Sequence, residues 1–354
     1  MSVDLYILSP DIELQGVIDG YSSLRWRRRF FEPGEFELHC PASAENLALL
    51  QEGNIIHRLD RGEAGIIEGF AIATADTGGD EITATGRMGS SMLDRRAITP
   101  TINFTGTVEG AMRKAVSDNA IAVRPLSHLV LGNASGLTPE CTFQATGKTV
   151  LTVCEALGKA APLGFKTRLD VPGRQWIFEV YAGTDRSAGQ TERPQVVFCS
   201  DNDNIDKPSY TRDSTGYANY AYVAGQGEGG DRVIVEVDQT GGGERRELWV
   251  DARDLQQTDG QSDAEYQAQL TQRGLEKLAE ATRSESFTAG AVDTGNYAYL
   301  TDWDLGDIVS FTKWGIRLDE RITEVEEVDE GGVVTITPTC GSPLPETLDL
   351  GEDT

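Results

Sequence analysis

Histidine is scarce in this chain: three residues in 354, none in the H-E-x-x-H spacing that holds a catalytic zinc. His39, His57 and His128 lie far apart, two of them inside strand-like segments, and no G-x-S-x-G elbow accompanies them. Hydrolase chemistry is therefore not expected. The five cysteines, Cys40, Cys141, Cys154, Cys199 and Cys340, form no C-x-x-C pair and are odd in number. That excludes a zinc ribbon and a disulfide framework, and predicts buried thiols in a chain that folds in a reducing compartment. No apolar run approaches the ~18 residues of a membrane span. The N-terminus, Met1 to Pro10, alternates like a strand and lacks the basic and small-residue regions of a signal peptide. Basic residues are also in deficit, 31 against 57 acidic, for a net charge of −26. Such a surface cannot neutralise phosphates, so general nucleic-acid binding is excluded. The charge would serve solubility, or line a conduit that DNA passes without adhering.

What is present in quantity is glycine, 39 residues placed singly between short apolar alternations, as many β-turns require. A chain of 354 residues exceeds what one core usually supports, so two to four domains are expected. Residues 1–100 read as a β-barrel-like domain, with strands at 3–8, 15–18, 22–31, 35–39, 54–59, 65–74 and 81–87. Ser43 caps a short helix over 44–50 within it, and strands near 195–212 are expected to complete it. Residues 101–194 read as an inserted α+β domain, with helices at 107–119 and 149–160, strands at 165–169 and 175–180, and an exposed loop at 184–193. Residues 213–340 read as a second β-barrel-like domain with strands at 217–224, 232–237, 244–250, 287–289, 308–311, 321–326 and 333–338. It carries a helical insertion at 258–285, and residues 341–354 form an acidic tail. The fold class is mainly β with an α+β insertion, duplicated in architecture without a sequence repeat.

The most informative stretch runs from Leu24 to Leu38. An Arg/aromatic run and the alternating Glu35-Phe36-Glu37-Leu38 flank a Glu32-Pro33-Gly34 turn, in which proline sets φ and glycine supplies the left-handed position. Side chains alternate along a strand, so Arg25, Arg27 and Arg29 share one face. They are candidate subunit-interface residues, through bidentate pairs with carboxylates of a neighbouring copy. Local glutamates are the alternative partners.

Other motifs lead away from chemistry. Gly225-Gln226-Gly227-Glu228-Gly229-Gly230 fits G-x-G-x-x-G, but an apolar strand follows where a nucleotide fold needs a helix, so a hairpin turn is expected. Gly147-Lys148-Thr149 opens a helix, yet Thr142 stands where a P-loop needs glycine, and helix capping is expected. Asp201, Asp203 and Asp206, and likewise Asp302, Asp304 and Asp307, lack the twelfth-position glutamate of a calcium loop; Arg212 and Lys313 occupy it. Both clusters read as solvated turns. No catalytic, cofactor or metal residue is nominated. Tyr299, Trp303 and Trp314 are candidate surface aromatics that could stack on sugar rings.

Taken in order, several short motifs carry a resemblance. They are the Arg-rich hairpin, Thr85-Gly86-Arg87-Met88 and Leu93 to Ile98, Tyr181 to Ser187, Val197 to Ser200, and Tyr217 to Ala221. Arg246 to Asp254 and Trp303 to Val309 follow. Together they resemble the Gp37-like family of siphovirus and prophage proteins, a branch of the baseplate-hub and tail-associated proteins. The resemblance implies a non-enzymatic homotrimer whose paired β-barrels make a ring of six similar domains at the virion tail tip. That ring would join the six-fold tail tube to three-fold tip components, let DNA pass in transit, and assemble in the host cytoplasm. Implied partners are the distal tail protein or tube, the tape-measure protein and tip or fibre proteins. A carbohydrate-binding module recognising the host surface is the alternative function.

Overall fold

The computed structural model describes residues 3–74, 78–291 and 297–342. The N-terminal part contains β1 (Leu5–Leu8), β2 (Leu14–Ile18), β3 (Ser23–Arg29), β4 (Glu35–Pro41), α1 (Ala44–Leu49), β5 (Ile55–Arg58), β6 (Ala64–Thr74) and β7 (Asp80–Met88). Ser43 caps α1 by accepting from the Asn46 amide, as its position predicts. Leu5, Trp26, Phe36, Leu38 and Ile67 alternate inward from these strands into a shared core. Gly34 is not left-handed as the turn reading proposed. It is required because a Cβ there would lie 2.0 Å from the Arg27 carbonyl oxygen.

The middle part contains β8 (Ile102–Thr107), α2 (Val108–Val116), β9 (Leu129–Leu131), β10 (Glu140–Ala145), α3 (Val150–Ala160), β11 (Gly164–Asp170) and β12 (Gln175–Tyr181). β8 pairs β10, while β11, β12 and β9 form a second small sheet. Thr107 and Thr149 cap the two helices with their hydroxyls, so Gly147-Lys148-Thr149 is capping chemistry. Met112, Leu157, Phe165 and Phe178 meet Leu8, Ile55 and Ile66 in one core, which fastens this α+β unit to the N-terminal strands.

Next come β13 (Val197–Cys199), β14 (Ile205–Asp213), β15 (Tyr220–Ala224), β16 (Ile234–Asp238), β17 (Glu247–Asp251) and α4 (Asp263–Glu280). β18 (Ser284–Ala291), β19 (Ile308–Lys313), β20 (Ile316–Glu330) and β21 (Val333–Ser342) complete the described chain. β13 pairs β19 and β14 pairs β18, so the strands near 195–212 join C-terminal strands rather than completing the N-terminal set. The reason is register: Asp213 faces Ser284 across the β14–β18 pair, and 214–283 leave and return at that point. Those residues form their own unit. β15 is central between antiparallel β16 and parallel β17, and α4 packs on one face through Tyr266, Leu270 and Leu278. The Gly225 run is a turn between β15 and β16, as expected. Gly274 lets α4 approach closely, since a Cβ there would stand 2.6 Å from Val237.

One thirteen-stranded sheet unites the two ends of the chain. Its order is β14-β18-β21-β20-β3-β4-β7-β6-β5-β1-β2, with β19 and β13 branching from β20. β20 is the shared strand: Ile316 to Arg321 pair with β19, and residues from Ile322 onward pair with β21 and, from Glu324, with β3. The fold is mainly β, with an α+β insertion and a helical insertion. The tail after residue 342 lies outside the described residues.

Candidate functional site: the charged seam between the strand sets

β3 and β20 meet antiparallel where the N-terminal and C-terminal strands join, and their registers set charges in opposition. Glu324 faces Arg29 and Glu326 faces Arg27, while β4 places Glu35 beside Arg27 and Glu37 beside Arg25. Arg27 bonds Glu35 at 2.8 Å and Glu326 at 2.6 Å; Arg29 bonds Glu324 at 2.9 Å and Glu35 at 3.1 Å. Arg25 stands 3.5 Å from Glu326. The three nominated arginines thus share a face, and their partners in this chain are Glu35 of the same hairpin and Glu324 and Glu326 of a strand distant in sequence.

The opposite face of β3 turns Arg28 inward, where it is 5% exposed. Its guanidinium donates to Glu63 at 2.8 Å, and to Asp304 and the Tyr299 hydroxyl at 2.7 Å each. Burial works against this cation, but Glu63, Tyr299 and Asp304 outweigh it and hold its pKa well above the ordinary range. Alongside, Glu327 is 2% exposed and accepts from Arg61, with Arg58 at 3.3 Å. Tyr21 donates to Asp329 at 2.8 Å; burial and that bond push the phenol up to about 12. Sequence reasoning passed over Arg28, Glu63 and Glu327. Only the in-out alternation of Arg28 against Arg27 and Arg29 could have marked one of them.

The nominated aromatics separate. Trp303 is 1% exposed: its indole N–H donates to the Tyr297 carbonyl at 2.8 Å, and its ring sits edge-on to Phe198. It is a core residue, not a surface one, because the chain folds back over it to build the β13–β19 end of the core. Tyr299 is half-buried, packed on Trp303 and bonded to Arg28. Trp314 is 59% exposed, in the left-handed Trp314-Gly315 turn between β19 and β20. Of the second aspartate cluster, Asp304 stays part-exposed in a turn while Asp307 does not. Asp307 is buried and accepts from the Thr184 amide, Arg186 and the Asp304 amide. This also pins the loop at 184–193, whose first half is not exposed. Among the described residues no group of three or more acids, histidines or cysteines is placed to hold a metal. Four cysteines are buried and Cys199 is half-buried, all free. No helix among the described residues is long and apolar enough to cross a membrane.

The family model for the siphovirus ReqiPepy6 Gp37-like protein matches residues 4–342. The chain belongs to that family. It is a Gp37-like phage tail protein, and solved tail proteins share its fold. A tail protein from Neisseria meningitidis MC58 superposes with a TM-score of 0.60 at 15% identity, covering 97% of each chain. The 43 kDa tail protein of prophage MuSo2 from Shewanella oneidensis gives 0.59 at 12% identity, covering 96% of this chain and 98% of that one. Prophage tail protein gp18 from Listeria monocytogenes EGD-e gives 0.55 at 13% identity, covering 96% and 94%. No curated protein sequence matches the chain. Within this Gp37-like chain the charged seam is where the two strand sets join.

Proposed function

We propose that this Gp37-like protein is a non-enzymatic baseplate hub, a homotrimeric ring joining the six-fold tail tube to three-fold tip components. One observation carries the reading. Outward from the β3–β20 seam, both sides present the same ladder: a hairpin, β3–β4 or β20–β21, then two further antiparallel strands, β7 and β6 or β18 and β14. Two similar units in one chain give six around a three-fold axis, which reconciles unequal symmetries and leaves fewer sheet edges free. The distal tail protein or tube, the tape-measure protein and tip or fibre proteins are its neighbours in this scheme. DNA crosses the ring in transit, and the −26 charge partly lines the lumen, so that phosphates are repelled. Assembly takes place in the host cytoplasm.

Native mass and sedimentation over a range of concentrations test the ring. The expected species has three times the 38.4 kDa chain mass, with a central hole in electron images. A chain that stays monomeric at high concentration, and also fails to form rings on purified tail tubes, overturns the proposal. A neutral or basic lumen in the ring removes the electrostatic part alone.

A further inference from the structure

The unit formed by 214–283 has a second face, opposite α4, that meets solvent at Ile234 and Trp249. Alternation along its three strands puts Ala221, Val223, Val235, Val237, Leu248 and Val250 on the helix side and the alternate positions on the other, where Tyr220, under Arg245, and Ala224 are buried. The outward rows are Asp238-Tyr220-Glu247, Glu236-Tyr222-Trp249 and Ile234-Ala224-Asp251. Trp249 is 57% exposed and Ile234 47%. The Tyr222 and Trp249 rings lie side by side, centroids 6.5 Å apart and planes 37° apart. Polar groups at the rim are already held in place. Tyr220 donates to Glu236; Arg245 pairs with Glu247 at 2.7 Å and bonds the Tyr222 hydroxyl; Arg232 pairs with Asp251 at 2.6 Å.

The chemistry of this face narrows its ligand. Four carboxylates against two guanidiniums repel a polyanion, so bases on a phosphate backbone are disfavoured despite the rings. Arg245 sits 3.5 Å from the Tyr220 ring centroid and Arg232 lies 5.9 Å from that of Trp249, so cation–π positions are already occupied from within. The face offers nine outward positions on three strands, against the roughly 20–30 residues a side of a standard protein interface. A neutral, hydroxyl-rich ring meets each requirement. Its C–H face stacks on an electron-rich aromatic face, and its hydroxyls donate to carboxylates and accept from guanidiniums. We infer that Tyr222 and Trp249, rimmed by Glu236, Glu247, Arg232 and Arg245, form a binding site for a neutral glycan. The site belongs to one protomer, so its test is separate from that of the ring.

The probes are cellohexaose, chitohexaose, maltohexaose and a mannan hexasaccharide, titrated into the full chain by calorimetry and by tryptophan fluorescence. At least one is expected to bind saturably at up to millimolar concentration. Trp249→Ala is expected to weaken that binding about tenfold or more, and Glu247→Gln to weaken it measurably. Trp314→Ala, the other exposed indole, should leave it unchanged. Far-UV circular dichroism checks the fold of each variant, and Glu247→Gln, at an exposed position, keeps the test open should Trp249→Ala unfold. No binding across the panel overturns the inference, as does binding that survives both site variants. Tighter binding of heparin or of oligo(dT) overturns it too. So does a Trp249→Ala change seen in oligomer mass but not in glycan affinity, which would make the face a protein interface.

Discussion

Arg27 and Arg28 are neighbours on β3, yet the strand's period of two puts them in different media. Arg27 lies half-buried in a ladder with Glu35 and Glu326, where water still reaches its partners. Arg28 is enclosed with Glu63 between the two strand sets, and reaches across to Asp304 and Tyr299. The ladder sets register along the seam, because a one-residue slip would bring Trp26 or Arg28 opposite the outward glutamates. Arg28 couples the ends of the chain, because its bonds to Asp304 and Tyr299 cross to the C-terminal strand set while Glu63 offsets the cost of burying its charge.

The comparison is sharpest where the expected effect is largest. Arg28→Met leaves Glu63 buried without its cation and is expected to cost about 3–5 kcal/mol in urea unfolding. Arg28→Met combined with Glu63→Leu should recover much of that loss. If Arg28→Met cost no more than Arg27→Met, the distinction between the two faces would fail. The aromatics offer the same contrast at a second place. Trp303→Ala is expected to lose about 3–5 kcal/mol through the cavity it opens. Arg27→Met should cost only about 1 kcal/mol or less, and the loss should shrink in 1 M salt as screening removes the ladder's contribution.

A titration probes the α+β unit instead of the seam. Burial, with Glu32 nearby, lifts the Glu155 carboxyl on α3 from 4.5 to about 7. The folded state therefore holds a proton that the unfolded chain releases. Glu155 contributes stability below about pH 4.5 that is lost as pH rises toward about 7. Glu155→Gln is expected to flatten the decline in that window, measured as the urea midpoint against pH; an unchanged slope would show that Glu155 is not the group responsible. The smallest expected effect is Trp314→Ala, within about 0.5 kcal/mol of the parent in the same unfolding assay, in contrast to Trp303.

Local chemistry was legible in advance, and distant pairing was not. Ser43 and Thr149 announce their helices because a cap needs only its own turn of backbone. The Gly225 run could be read as a turn because a strand follows it directly. The shared face of Arg25, Arg27 and Arg29 follows from alternation alone. Their glutamate partners on β20 lie some three hundred positions away, and no short-range pattern points to them. Trp303 misled for the same reason: an aromatic beside aspartates looks solvated until other segments cover it. The strands near 195–212 misled as well, because an edge strand's composition does not say which edge it joins.

By itself, then, the amino-acid order determined a mainly β protein of the Gp37-like tail family, its helix caps, its turns, and which side chains share a strand face. These depend on φ/ψ preferences and on periods of two and 3.6, which act over a few residues. Tertiary structure alone decided that β20 serves both strand sets, that Arg28 and Glu63 become a buried pair, and that Trp249 rather than Trp303 meets solvent. Burial is a property of what lies opposite a residue, and here the opposing groups come from segments far apart in the chain.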